Sequence, residues 1–186
     1  MLRPIYIFVA SLLASACTTS EPGEDMDMGV VTPEEPTWRT LIDHTQWQVQ
    51  NADADPEADH RPSSVECMGG WYEELGGLEV DTSLCNYLSL EQPLMADLEQ
   101  GDPVRLRMWW ASLASVDPAE GHIAVFIDGM PLWEERVAIP GPAEARSLEF
   151  ESPISAPAGA TLTLHLHNHG YNTWNFHELT ALGSDT

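Results

Sequence analysis

Residues 123–129 have the sequence Ile-Ala-Val-Phe-Ile-Asp-Gly. Five consecutive apolar residues, rich in β-branched and aromatic side chains, are typical of a β-strand. The Asp128-Gly129 pair that follows is a strong signal for a two-residue hairpin turn. We therefore expect one strand to end at Ile127 and a second to continue over residues 132–139, before Pro140-Gly141-Pro142 stops it.

Short strand patterns lie on both sides of this hairpin and are separated by glycine and proline turns. Apolar residues alternate with Arg105, Arg107 and Trp109 in residues 104–110, and three leucines alternate with threonines and histidines in residues 161–167. Further strand patterns occur at residues 78–80, 87–90, 148–150 and 171–182. No segment has the sustained i, i+3, i+4, i+7 apolar spacing of a helix. The sequence therefore predicts an all-β fold, an antiparallel sandwich or barrel.

The segment from Gly101 to Leu182 resembles the galactose-binding-like jelly-roll domains of carbohydrate-binding modules. The shared layout consists of a Gly-Asp turn at 101–102, the hairpin at 126–129, a Pro-x-Gly turn at 157–159 and Asn-x-Trp at 172–174. This resemblance implies a β-sandwich of jelly-roll type and a non-catalytic domain that binds carbohydrate. It also implies a structural calcium ion, which many such modules hold, although the sequence indicates no position for one.

The chain after the N-terminal segment also resembles a set of uncharacterised bacterial lipoproteins. The residues that carry this second resemblance are Asp81-Thr82, Cys85-Asn86-Tyr87-Leu88 and His165-Leu166-His167-Asn168-His169-Gly170. It implies no known activity.

The N-terminus has the parts of a bacterial export signal. Arg3 supplies a positive charge, and the apolar run from Ile5 to Ala14 is too short to cross a bilayer of roughly 30 Å. Small residues at 14–16 precede Cys17, as in the lipobox of lipoproteins. We therefore predict a signal peptide at residues 1–16 and a lipid on Cys17, ordinary secretion with an incidental cysteine being the alternative. Thr18 in place of an aspartate favours the outer membrane of the cell envelope.

Residues 17–37 are predicted to form a disordered acidic linker between this anchor and a folded domain at residues 38–186. The linker contains proline, glycine and acidic residues without periodicity. Residues 51–64 are again polar and interrupted by prolines, which indicates a long loop inside the domain.

The three cysteines are Cys17, Cys67 and Cys85. An odd number in an exported protein requires an explanation for one thiol. Lipidation of Cys17 leaves Cys67 and Cys85 as a disulfide pair in an oxidising compartment. Two unpaired buried thiols are the alternative, whereas a zinc site is disfavoured because neither cysteine belongs to a C-x-x-C motif.

The chain is strongly acidic, with 30 Asp and Glu residues against seven arginines, no lysine and a net charge of −23. Such a polyanion is repelled by nucleic acid and by anionic membrane surfaces. We therefore expect no nucleic-acid partner. Contact with the membrane is expected through the lipid anchor only.

A candidate ligand surface follows from the alternation in residues 104–110. Arg105, Arg107 and Trp109 lie on the face opposite the apolar side chains, where an exposed indole can stack on a sugar ring. Two of the seven arginines lie together here, which predicts a local positive charge suited to acidic polysaccharides. The alternative is that another part of the domain covers this face.

A candidate metal site follows from the sequence His165-Leu166-His167-Asn168-His169. Alternate residues of a strand share a face, so two imidazoles can reach one transition-metal ion. The alternative is that His165, His167 and His169 face solvent or brace the turn. The acidic loop at 53–59 lacks the glycine and glutamate of a calcium-binding EF-hand loop.

The sequence contains no serine-hydrolase elbow, phosphate loop or H-E-x-x-H motif. The leading hypothesis is a membrane-anchored, non-catalytic binding domain for polysaccharide that requires no cofactor. A metal-binding protein or metal-dependent enzyme built on His165 and His167 is the second hypothesis. A structural envelope protein without a small ligand is the third.

Overall fold

Eleven β-strands and two short 3₁₀ turns make up the regular structure of residues 37–183, the part of the chain that this computed structural model describes. The strands are β1 (Thr37–Thr40), β2 (Gln48–Val49), β3 (Trp71–Glu74), β4 (Gly77–Asp81), β5 (Tyr87–Pro93), β6 (Pro103–Trp110), β7 (Ala119–Ile127), β8 (Met130–Ile139), β9 (Glu144–Glu151), β10 (Thr161–His167) and β11 (Thr173–Gly183). The turns are η1 (Ala52–Ala54) and η2 (Ala58–His60). The predicted signal peptide, Cys17 and the linker up to residue 36 lie outside the described residues.

The strands form two antiparallel sheets. Sheet 1 has the order β3-β4-β11-β6-β9, and β1 pairs with the C-terminal part of β11. Sheet 2 has the order β2-β5-β10-β7-β8. The prediction of an all-β antiparallel sandwich of jelly-roll type is therefore confirmed. Within residues 37–183, no helix is long and apolar enough to cross a membrane.

The hydrophobic core lies between the inner faces of the two sheets. Strand β10 contributes its three leucines, and β6 contributes Val104, Leu106, Met108 and Trp110, all of them buried. Trp110 packs against Trp174 of β11 with ring centroids 5.1 Å apart. Each large side chain buried in this way stabilises the fold by about 1.5–3 kcal/mol.

The predicted hairpin connects β7 to β8. Asp128 and Gly129 both have positive φ angles, 48° and 76°, and Ile127 pairs with Met130 across the turn. This conformation favours glycine and tolerates aspartate, as the sequence signal requires. Strand β8 begins at Met130, two residues before its expected start.

The predicted disulfide joins Cys67 to Cys85. Two hydrogen bonds of 2.9 Å lie beside it. The Asn86 backbone N–H donates to the Glu66 carbonyl oxygen, and the Glu66 backbone N–H donates to Asn86 Oδ1. These contacts fix the end of the long connection between β2 and β3 against the start of β5.

Replacement of both cysteines (Cys67→Ala with Cys85→Ala) should lower the free energy of unfolding by about 3 kcal/mol, because the 18-residue cross-link restricts the unfolded chain. Urea denaturation at equilibrium measures this difference. Dithiothreitol should shift the wild-type midpoint toward that of the variant and leave the variant unchanged. Equal stabilities of the oxidised wild type and the variant would contradict the prediction.

Candidate functional site

The outer face of sheet 2 carries a layer of polar and aromatic side chains. On β10 these are Thr163, His165 and His167, which alternate with the core leucines as the sequence predicts. Tyr87 and Ser89 of β5 and His122 of β7 lie beside them, since β10 pairs with both strands. All six residues are buried, so solvent has little access to this part of the face.

The cover over this face is provided by residues 50–61, which we call the covering segment. Tyr87 donates a 2.6 Å hydrogen bond to the buried carboxylate of Asp55, and Arg61 lies 3.6 Å from the same carboxylate. Near its start, Gln50 donates to Thr163 and accepts from Ser89, at 2.9 and 2.7 Å. Burial and the bond to Asp55 together raise the pKa of Tyr87, so its hydroxyl stays protonated and remains a donor.

Four imidazoles meet beneath and beside the covering segment. We call His60, His122, His165 and His167 the histidine cluster. The His60 ring centroid lies 5.6 Å from that of His122, 6.4 Å from that of His165 and 4.8 Å from that of His167. The rings of His122 and His165 are 5.1 Å apart. Sheet strands therefore position three of the rings, and turn η2 brings His60 to them.

Three members of the cluster are arranged so that one ring nitrogen from each lies within 4.8 Å of the others: His60, His122 and His165. His165 is 0% and His122 1% exposed. Neither ring nitrogen of either residue has a hydrogen-bond partner among residues 37–183, although a Glu134 oxygen lies 3.5 Å from His122 Nε2. Each buried polar atom without a hydrogen-bond partner lowers the stability of the folded state by about 1–3 kcal/mol. The unpartnered nitrogens of His122 and His165 therefore destabilise the fold.

The buried imidazoles are neutral at pH 7. Burial, together with the neighbouring histidines, lowers the pKa of His165 to about 3. Burial also lowers the pKa of His167 to about 4 and lowers the pKa of His122. A neutral imidazole has one ring nitrogen with a lone pair, which is the form that ligates metal ions.

The histidine cluster borders an open cleft of about 810 Å³ at one end of the sandwich. Its walls come from the β4–β5 turn, the loop between β6 and β7 and the β10–β11 turn, and we call it the end cleft. The residues that line it include His60, His122, His167, His169, Glu66, Asp117, Glu120, Val116 and Tyr171. We call the part of its lining that His60 and His122 form the floor of the cleft. His165 is fully buried and is not part of the lining.

A hydrogen-bond network fixes the walls of the end cleft. The Asn168 side chain donates to Thr82 Oγ1 and accepts from the indole of Trp174, at 2.9 and 3.0 Å. Asn172 accepts a 2.6 Å bond from the Ala114 amide. Gly170 has a φ of 103°, and a Cβ there would lie 2.0 Å from the Ala114 carbonyl oxygen, so only glycine allows the two loops to approach this closely.

The predicted ligand face bears Arg105, Arg107 and Trp109 on the outside of sheet 1, where all three are partly or fully exposed. The prediction of a local positive charge is wrong, because acidic residues of the same sheet pair with both arginines. Arg105 lies 2.8 Å from Glu149, and Arg107 lies 3.0 Å from Glu178. The Arg105 guanidinium also stacks on Trp38, 3.9 Å from the ring centroid.

Of the histidines expected to form a metal site, the structure brings His165 together with His60 and His122. His167 adjoins this trio through His60, their Nδ1 atoms being 3.5 Å apart. His169 is exposed and lies on the rim of the end cleft, with its ring 4.7 Å from that of His167. His60 and His122 were not predicted from the sequence. The pairing of β7 with β10 places His122 opposite His167, a relation that the pattern of a single strand does not contain.

No protein-family model and no curated protein matches this chain. Solved structures similar to it include the CBM51 module from Clostridium perfringens GH95 in complex with methyl-galactose, at 10% identity over 78% of this chain and 99% of that one, with a TM-score of 0.39. TmCBM61 in complex with β-1,4-galactotriose has 15% identity, coverages of 86% and 97%, and a TM-score of 0.34. The second N-terminal cellulose-binding domain of Cellulomonas fimi β-1,4-glucanase C has 15% identity, coverages of 67% and 98%, and a TM-score of 0.37.

The metal-free domain should lose stability as the pH falls below about 6.5, the pKa of histidine in an unfolded chain. His165 and His167 have folded-state pKa values of about 3 and about 4, so below pH 6.5 the unfolded chain binds protons that the folded chain does not. The free energy of unfolding then falls by up to about 1.4 kcal/mol per pH unit for each such histidine.

Urea denaturation in a chelating buffer at pH 7.5, 6 and 5 measures this dependence. Carboxylates also titrate toward the acid end of this range. The wild type is therefore compared with His165→Leu, which retains every carboxylate and lacks one imidazole. The variant should show the shallower loss of stability between pH 6 and 5. Parallel curves for the two proteins would show that His165 makes no contribution.

Proposed function

We propose that this protein is a lipid-anchored envelope protein whose sandwich domain is a non-catalytic binding module for a neutral polysaccharide, held in the end cleft. The observation that carries the proposal is the cleft itself, a concave site of about 810 Å³ with fixed walls. This volume lies within the range of about 300–1,000 Å³ that is typical of small-ligand sites and suits a short oligosaccharide segment.

The anchor is supported by the cysteine pairing together with the N-terminal sequence. The domain disulfide uses Cys67 and Cys85, which leaves Cys17 as the remaining thiol of the chain. Cys17 follows an apolar run and three small residues, as a lipidation site does. With Thr18 next to it, the proposed location is the outer membrane, and the linker gives the domain reach from that surface.

Saccharide binding is supported by the chemistry of the cleft lining. Tyr171 is 77% and Val116 95% exposed, and both line the cleft together with polar and charged side chains. A sugar ring has an apolar face that stacks on an aromatic side chain and hydroxyls that bond to carboxylates and amides. The lining offers both kinds of group.

The charge of the cleft selects the kind of sugar. Glu66, Asp117 and Glu120 all line it, and within residues 37–183 only Arg136 pairs with one of them, 3.1 Å from Glu120. Negative charge in a concave site repels anionic ligands. The ligand we propose is therefore a neutral polysaccharide, and not the acidic one expected from the arginines of sheet 1.

The face of Arg105, Arg107 and Trp109 is the second candidate surface for the same class of ligand. Trp109 is partly exposed, as a stacking platform must be. The two arginines beside it are already paired with Glu149 and Glu178, so their guanidiniums have fewer donors to offer. The end cleft is the better site on this ground, and the two surfaces can be separated by experiment.

Tyr171→Ala should weaken the binding of neutral polysaccharide by at least about tenfold, because it removes the stacking surface of the cleft. Since Tyr171 is exposed, the melting temperature should remain within a few degrees of the wild type. A glycan array identifies the ligand, and isothermal titration calorimetry of the full chain measures the affinity.

Trp109→Ala is the matched control, an aromatic truncation on the outer face of sheet 1, outside the cleft lining, that should leave the affinity unchanged. If Trp109→Ala abolishes binding and Tyr171→Ala does not, the ligand site is the face of sheet 1. If no glycan binds the wild type, the carbohydrate proposal fails and a structural role in the envelope takes its place.

Cys17→Ser should release the protein from the membrane fraction while the domain stays folded and exported, because only the lipid holds it there. Fractionation of cells, followed by immunoblotting, compares the variant with the wild type. A variant that remains in the membrane at wild-type levels would rule out the lipid anchor without affecting the proposed ligand site.

A further inference from the structure

We propose that His60, His122 and His165 bind a divalent transition-metal ion, zinc or copper, at the floor of the end cleft. One ring nitrogen from each residue lies within 4.8 Å of the other two. In a tetrahedral site with metal–nitrogen bonds of about 2.0–2.1 Å, ligand nitrogens are roughly 3.3 Å apart. A contraction of about 1.5 Å or less, within the reach of side-chain rotation, brings the three nitrogens to that spacing.

The buried side chains supply the evidence that the site is built for a ligand. His122 and His165 are almost wholly inaccessible, and none of their four ring nitrogens has a hydrogen-bond partner among the described residues. Histidines that merely brace a fold are satisfied by a backbone or side-chain partner. A bound metal ion gives these nitrogens the partner that the protein does not.

The kind of ion follows from the kind of ligand. Three imidazole ligands suit zinc, copper and nickel, whereas calcium and magnesium require oxygen ligands. The two cysteines within residues 37–183, Cys67 and Cys85, are joined to each other, so neither offers a thiolate ligand. Glu134 lies 3.5 Å from His122 Nε2, and Glu57 and Glu134 each place an oxygen within 4.8 Å of a His122 nitrogen. These carboxylates lie close enough to offset the charge of a divalent ion.

The position of the three ligands leaves one side of the ion accessible. His60 and His122 line the end cleft, whereas His165 is fully buried and does not. Three protein ligands leave the fourth position of a tetrahedral ion for an exchangeable ligand. Because two of the three ligands line the cleft, we expect that ligand to enter from the cleft. The site stands independently of the proposed polysaccharide, and a hydroxyl or carboxylate of any cleft ligand could occupy the open position.

The ion would also connect two separate parts of the fold. His122 and His165 belong to adjacent strands of sheet 2, whereas His60 belongs to η2 of the covering segment. Binding to all three fastens the covering segment to the sheet. The folded state alone presents the three ligands together, so the metal should raise its stability.

The test uses the full chain, stripped with a chelator and titrated with zinc chloride or copper sulfate in the absence of saccharide. We expect one ion per chain by elemental analysis, micromolar or tighter affinity by calorimetry, and a higher melting temperature with metal. Substitution by cobalt should give the visible absorption of a tetrahedral site. Failure to bind any of these ions at micromolar concentration would overturn the proposal, whatever the result with glycans.

His60→Ala is the variant that identifies the site, because His60 is exposed on a turn and its loss should leave the fold intact. We expect its metal affinity to fall at least tenfold and the metal-induced rise in melting temperature to disappear. His169→Ala is the matched control, an exposed histidine on the same cleft outside the trio, and should bind as the wild type does. Wild-type affinity in His60→Ala, or loss of affinity in His169→Ala, would overturn the assignment.

Discussion

Tyr87 donates a hydrogen bond to the buried Asp55 carboxylate, and this contact holds the covering segment on the outer face of sheet 2. The consequence is a third layer on a two-layer sandwich. Strand β10 is buried on both sides, with leucines toward the core and Thr163, His165 and His167 toward the covering segment. Without that cover, these side chains would be solvated and the histidines would have water as a partner. The contact between Tyr87 and Asp55 thus helps to exclude water from the His165 imidazole.

The polar layer is not where the fold gains its stability. Apolar side chains between the sheets provide the favourable burial, whereas the unpartnered imidazoles under the covering segment oppose folding. Buried polar groups are normally hydrogen-bonded, and the exceptions occur chiefly at functional sites. The polar groups around the end cleft, by contrast, are hydrogen-bonded. Thr82, Asn168 and Asn172 bond to one another and so fix the loops around an open space.

The fold was predictable from local patterns, and the site was predictable only in part. Alternation placed the leucines of β10 and the apolar residues of β6 correctly, and Asp128-Gly129 located the hairpin, because each of these signals is complete within one segment. His165 was singled out for the same reason. His60 and His122 were not, since they meet His165 only through strand pairing and through a turn that lies 105 residues away in the chain. The ion pairs of Arg105 and Arg107 also depend on strand pairing, which explains the wrong charge prediction for that face.

The covering segment is fastened at both of its ends. Gln50 is bonded to Ser89 at its start, and a few residues beyond its end the Glu66–Asn86 bonds and the Cys67–Cys85 link fix the chain to the start of β5. A segment held in this way opens as one cooperative unit, with its own free energy that is smaller than that of global unfolding. The rate at which solvent or solute reaches His165 is therefore governed by this local opening, while the sandwich beneath stays intact. Access to the site and the lifetime of the folded chain can accordingly differ by orders of magnitude.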